Sequence, residues 1–222
     1  MNNPGKFKII ISEEVDKFLE KVSPKAKAKI FYNINLVAAG RMDSELFKKL
    51  EGTDIWEFRT LFAGLAYRLF SFFDPEEQAL IITTHGFIKK LRKPLRKKLS
   101  GQKQSEQSIL IKNNMAMKFY TLEEMTDKHI GKRGTRERER FEADVEAALI
   151  GASIKEARKS LHLTQKELGE RVGVQTAQIS KIESGKNLTI ATIVRVLKAL
   201  GLSANFSIQG LSPIRLGVGT GG

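Results

Sequence analysis

The 222-residue chain has no cysteine. Disulfides, thiolate metal sites and cysteine nucleophiles are therefore excluded. It also lacks any apolar run near the ~20 residues that a membrane helix needs. Its first thirty residues hold no apolar stretch of the signal-peptide kind, so the chain is expected in the cytoplasm and away from membranes. Carboxylates are in short supply: 25 Asp and Glu face 38 Lys and Arg, a formal net charge of +13. Such an excess requires a soluble polyanion or an acidic partner to explain it. Hydrophobic residues make up 41% and charged residues 28%, which rules out collagen-like and wholly disordered chains and suits two small domains.

Both halves are basic. Residues before Met115 carry 21 basic and 13 acidic side chains, and those from Met115 onward 17 and 12. Lys89, Lys90, Arg92, Lys93, Arg96, Lys97 and Lys98 place seven cations in ten residues with no carboxylate among them. A run that dense repels itself unless an anion binds it.

Residues 6–11 read as a strand. Ser12 then caps a helix carrying Val15, Phe18, Leu19 and Val22 at helical spacing. Pro24 opens a second helix whose stripe is Ile30, Phe31, Ile34 and Val37, ended by Gly40. Three segments rich in β-branched and aromatic residues come next, divided at Ala63-Gly64 and Asp74-Pro75, and they predict an antiparallel meander. Residues 1–100 thus read as a small α+β domain with strand, two helices and meander in that order. Residues 101–116 are polar and weakly periodic, a linker. Helical patterning resumes in 117–150 and continues to Gly201. The tail, 211–222, holds Gly at four of its last six positions and is expected to be disordered.

Within residues 164–201 three helices are legible. Thr164 and Glu167 have capping-box spacing, Leu168 and Val172 point inward, and Gly173 makes a tight turn to a helix beginning at Gln175. That helix buries Ile179 and Ile182, while Gln175, Thr176, Gln178 and Lys181 stay outside; Ile193 and Leu197 are expected to complete the core. A helix presenting short polar and amide side chains without a row of carboxylates is suited to the major groove. The order TQKEL, turn Gly, ISKIE, SGK resembles the Xre/Cro-repressor helix-turn-helix family over about 155–202, within a domain set at 151–210. The resemblance implies sequence-specific binding of double-stranded operator DNA by a homodimer, and autorepression. Matched by position, Thr176, Ala177 and Lys181 would face bases, and Gln165, Lys186 and Asn187 would touch phosphates.

In the first domain, Lys48 and Lys49 precede the meander, Arg59 and Arg68 lie on adjacent strands, and His85, Lys89 and Lys90 end the third. Cations that hold a phosphate beside one proton-moving group are the parts of an RNA-cleaving site, and His85 is the obvious proton mover. Trp56, Phe58 and Phe70 alternate with the charged positions and are assigned to the core. The runs FKKLEGTDIWEFRT, YRLFSFFD and ITTHGFIKK resemble the host-inhibition-of-growth branch of the RelE-type toxins. That resemblance implies a metal- and cofactor-free mRNA endonuclease acting at the ribosome. Lys48, Lys49, Arg59, Arg68, His85 and Lys89 would then line the RNA site, with His85 as acid or base. Such toxins are usually paired with a separate Xre-type antitoxin, which residues 117–222 resemble, with 117–150 as the toxin-binding part acting in cis or in trans. The expectation is a fused toxin-antitoxin protein that represses its own transcription, its toxin masked or impaired. The alternative is an active mRNA interferase with a built-in antitoxin.

Overall fold

A computed structural model describes residues 7–74, 79–90, 118–207 and 212–217. The chain divides into two compact units, Met1–Phe141 and Glu142–Gly222. The basic run from Arg92 to Lys98 and the expected linker at 101–116 lie outside the described residues.

The first unit runs β1 (Lys8–Ser12), α1 (Glu13–Glu20), α2 (Pro24–Ala38), β2 (Phe47–Lys49), β3 (Trp56–Phe62), β4 (Leu65–Asp74), β5 (Ala79–Lys90), β6 (Phe119–Thr121) and α3 (Leu122–His129). Its sheet has the order β2-β3-β4-β5-β1-β6. β2 to β5 form the expected antiparallel meander, lengthened at one end by the three-residue β2. β1 enters parallel to β5, with Ile10 opposite Ile81, and β6 pairs antiparallel on its other side. That interior place explains the unbroken apolar run of β1, whose Ile9 and Ile11 are both buried.

The helical stripes pack as expected. Val15, Leu19, Val22, Ile30, Phe31, Ile34 and Val37 are buried, and Phe18 is half-buried. Ser12 occupies the N-cap position of α1 without a side-chain capping bond, and Pro24 starts α2. Asn33 ties α2 to the sheet by donating to Thr60 Oγ1 at 2.9 Å. Ala63 and Gly64 both have positive φ, 48° and 74°, the two-residue hairpin geometry whose twist matches its strands.

One expectation needs correction here. Phe70 is opposite Glu57 on the charged side of the sheet and is half-buried, because β4 alternates strictly there. Residues 118–141 fall within the first compact unit.

The second unit takes up α4 (Arg136–Ser160) from Glu142, then α5 (Gln165–Val172), α6 (Thr176–Glu183), α7 (Ile190–Ala199), β7 (Ser203–Phe206) and β8 (Ile214–Gly217). Ile154, Leu168, Ile179, Ile182, Val196 and Leu200 form its buried core, with Val172 packed against it. Ile193 and Leu197 are only half-buried, because α7 turns Val196 and Leu200 (i, i+4) fully inward. The tail expected to be disordered holds β8, whose Ile214 is registered opposite Phe206; apolar cross-strand pairs overcome the glycine-rich composition there.

Candidate nucleic-acid interfaces

In the second unit, α5 begins with a complete capping box. Thr164 Oγ1 accepts from the Glu167 N–H at 3.2 Å, and Glu167 Oε2 accepts from the Thr164 N–H at 2.7 Å. The Thr164 N–H and hydroxyl hold the Glu167 carboxyl below its usual range. α5 ends at Gly173 in the left-handed conformation, φ 77° and ψ 37°. Gly169 lies so close to the next turn that a Cβ would meet Val174 O at 2.7 Å. This tight turn sets α6 across α5.

α6 exposes Gln175 at its N-cap, then Thr176, Ala177, Ser180 and Lys181, with Gln178 half-buried. Lys186 and Asn187 come next, exposed, with Asn187 at φ 57°. Gln165 is placed differently. Its amide donates to Glu183 Oε2 at 2.8 Å, inside the unit.

Glu183, the one carboxylate of α6, is buried. It accepts from Arg158 Nε and from Arg158 Nη2 at 3.0 Å, while Arg158 Nη1 donates to Leu163 O at 2.6 Å. The Glu183 hydrogen bond pushes the Arg158 guanidinium above its ordinary value. The pairing thus leaves the outward face of α6 without negative charge. Sequence reasoning passed over both residues. The available signal was charge on an apolar stripe: Glu183 lies four residues after Ile179, and Arg158 four after Ile154.

In the first unit, Lys48 is opposite Glu57, and Arg59 is opposite Arg68. Alternation puts these four on one face of the sheet. Lys49 is opposite Trp56 and so starts from the other face, its amine reaching Asp54 at 3.0 Å. Glu57, missed from sequence, is the centre of the cluster: its Oε2 is 2.8 Å from Arg68 Nη1 and 3.2 Å from Arg59 Nε. Arg59 Nη1 also donates to Ser44 O at 3.4 Å. Beside them opens a groove of about 960 Å³ lined by Lys48, Lys49, Leu50, Glu51, Gly52, Thr53, Asp54, Glu57 and Arg59. Its three cations are matched by three carboxylates. Trp56 stacks on Phe47 at 4.8 Å and Phe58 is buried, as expected of core aromatics.

His85 lies on β5 within a shift of register with β4, between Thr84 opposite Phe70 and Phe87 opposite Arg68, and Lys89 is opposite Ala66, two residues before Arg68. The side chains of His85, Lys89 and Lys90 lie outside what the structure describes. Among the described residues no group of three or more His, Asp or Glu could hold a metal ion. No helix among them is long and apolar enough to cross a membrane.

Residues 154–206 match the family model described as helix-turn-helix, and residues 17–104 match phage derived protein Gp49-like. The chain joins a Gp49-like domain to an Xre-type helix-turn-helix. No curated protein matches it. The helix-turn-helix match spans α5, α6 and α7 together with Ile154 and Arg158 of α4, so the buried ion pair lies wholly inside it. The Gp49-like match covers Lys48 to Lys89 and every expected cation of the RNA site. Helix-turn-helix domains bind DNA and regulate, Gp49-like domains are toxin-like, and the pair is consistent with a fused toxin-antitoxin protein.

Proposed function

We propose that the chain is a cytoplasmic, autorepressing regulator: a fused type II toxin-antitoxin protein that binds a specific double-stranded operator as a homodimer, its toxin domain masked or impaired. The observation that carries this is the outward face of α6, polar and cationic, with its one carboxylate buried against Arg158. Thr176, Ala177, Lys181, Gln175 and Gln178 are assigned to base edges, and Lys186 and Asn187 to phosphates. Gln165, whose amide is held by Glu183, is also assigned to a phosphate through its remaining N–H.

The test is a titration of the full chain on operator DNA at several salt concentrations. Lys186→Ala should weaken binding uniformly across sequences and reduce the salt slope by about one. Lys181→Ala should instead relax discrimination at one base position, by about 1–3 kcal/mol. If neither variant changes affinity, α6 is not the DNA-reading helix.

A second reading, a metal-independent mRNA endonuclease acting at the ribosome, is favoured by the shared face of Lys48, Arg59 and Arg68. It ranks lower because Glu57 pairs with both arginines and offsets one of their two charges. Expression of the full chain in bacteria discriminates the two: growth arrest with mRNA cleavage, abolished by Arg68→Ala or His85→Ala, supports the enzyme. Harmless expression with operator binding supports the regulator.

A further inference from the structure

Residues 119–129 pack on the first unit in a way that sequence periodicity does not anticipate. β6 extends the sheet at β1, with Ile10 opposite Thr121 and Ser12 opposite Phe119, and the Glu13 N–H donates to Lys118 O at 2.9 Å. α3 turns Met125 inward to 1% exposure. At its end two consecutive residues converge on one carboxylate of α1. Lys128 Nζ is 2.6 Å from Asp16 Oδ2, and His129 Nε2 is 2.8 Å from Asp16 Oδ1. Lys128 also reaches Glu20 at 3.0 Å, and the His129 ring stacks on Phe31 of α2 at 5.7 Å. The Asp16 and His129 side chains are 8% and 3% exposed.

This piece carries its own scaffolding. Thr121 and Glu124 form a capping box at the start of α3, and Arg138 of α4 donates to Asp127 at 2.8 Å, to Glu123 at 2.9 Å and to Gly131 O at 3.2 Å. Both ends of α3 are thus fixed by contacts inside residues 121–138. A preformed element loses little conformational entropy when it docks.

We propose that residues 119–129, braced by Arg138, are a preformed docking element, the grip of the antitoxin part on the toxin part, and that the β1 edge together with Asp16 is its receptor site. Recognition combines strand addition with a Lys-His pair closing on one buried carboxylate. The assignment rests on the fused toxin-antitoxin reading and narrows the toxin-binding region to these eleven residues. The grip sits at β1, whereas Lys48, Arg59 and Arg68 sit on β2, β3 and β4 at the other end of the strand order.

The chemistry of the seam makes the grip weaken in acid. Burial pushes the His129 imidazole below its ordinary value, reinforced by Lys27 of α2 and by Lys128, and opposed by the bond to Asp16. Burial alone would push Asp16 up, but the hydrogen bonds from Lys128 and His129 outweigh it and hold the carboxyl below its usual range. Asp16 of α1, Lys27 of α2 and Lys128 of α3 are the charged groups that act on the ring, and Glu20 of α1 pairs with Lys128. For a lowered histidine the undocked state takes up the proton first, so docking is at full strength above about pH 6.5 and declines below it. Asp16 acts in the same sense, its contribution present above about pH 3.9 and lost as pH falls through its lowered value.

The experiment uses the full chain with a specific protease site inserted between residues 91 and 117. After cleavage at pH 7.5, the two pieces of the parent should co-elute at micromolar concentration. Asp16→Lys should weaken their association at least about 100-fold, because it removes the buried carboxylate that Lys128 and His129 share and sets a third cation beside Lys27 and Lys128. The double variant Asp16→Lys, Lys128→Asp should regain at least about tenfold, a rescue that a misfolded first unit could not give. At pH 5.5 the parent pieces should separate more readily than at pH 7.5. Parent pieces that part at micromolar concentration on cleavage, or Asp16→Lys pieces that hold as tightly as the parent's, overturn the proposal. Operator binding on the same samples scores the regulator reading independently.

Discussion

Replacing Arg158 by alanine is expected to destabilise the second unit by about 3–5 kcal/mol. Glu183 is 3% exposed and takes hydrogen bonds from Arg158 Nε, Arg158 Nη2 and Gln165 Nε2. Truncating Arg158 leaves that carboxylate buried beside one neutral amide, and it also orphans Leu163 O, which accepts from Nη1. Because Glu183 is the last residue of α6, that helix loses its anchor to α4 at the same time, so under the proposed reading operator affinity should fall along with stability. The double variant Arg158→Met, Glu183→Leu removes both charges and should recover most of the stability, since a well-packed apolar pair is often as stable as a buried ion pair. Urea denaturation of the three proteins, followed by circular dichroism, checks this. A loss below about 1 kcal/mol for Arg158→Ala would place the pair among solvent-screened bridges and contradict the anchoring role.

The second large effect comes from two glycines where backbones touch. Gly151 of α4 and Gly185, just past α6, approach so closely that a Cβ on Gly151 would meet Ile182 O at 2.6 Å and Gly185 N at 2.7 Å. A Cβ on Gly185 would meet Ala148 N at 2.6 Å and Ala147 O at 2.7 Å, and Gly185 also has φ +81°. None of these atoms belongs to a side chain that can swing away. Gly185→Ala therefore combines left-handed strain with forced separation of α4 and α6, together about 2–4 kcal/mol. Gly151→Ala carries only the separation, about 1–3 kcal/mol. For a unit of this size the thermal midpoint should drop by roughly 10 °C or more for Gly185→Ala. An unchanged midpoint for both variants would mean that the two backbones are not in contact.

Legibility from sequence tracked the range of the interactions concerned. Thr164, Glu167 and Gly173 act within one or two turns of chain, so the capping box and the left-handed turn could be read directly. The stripes of α1 and α2 and the hairpin at Ala63-Gly64 were legible for the same reason. β2 and β6 were not, because Phe47–Lys49 and Phe119–Thr121 are three-residue strands that exist only through pairing with β3 and β1. Lys48 and Lys49 look like a pair in sequence, yet strand alternation separates them, and Glu57 joins the cluster only once Arg68 arrives on the neighbouring strand. The Arg158–Glu183 pair spans 25 residues, and the seam at Asp16 spans more than a hundred. Local pattern carries no information about contacts that distant. It is these long-range pairs that hold the recognition helix and the 119–129 segment in place.

The central claim is that α6 reads specific double-stranded DNA, and selection from a random DNA pool by the full chain tests it most directly. At physiological salt the pool should converge on a two-fold symmetric sequence whose half-sites are about one helical turn, roughly 34 Å, apart. A Thr176→Ala, Lys181→Ala double variant should fail to enrich it. Uniform recovery of the pool, with no sequence gaining over the rest, would contradict the account and leave only the non-specific attraction of a basic chain.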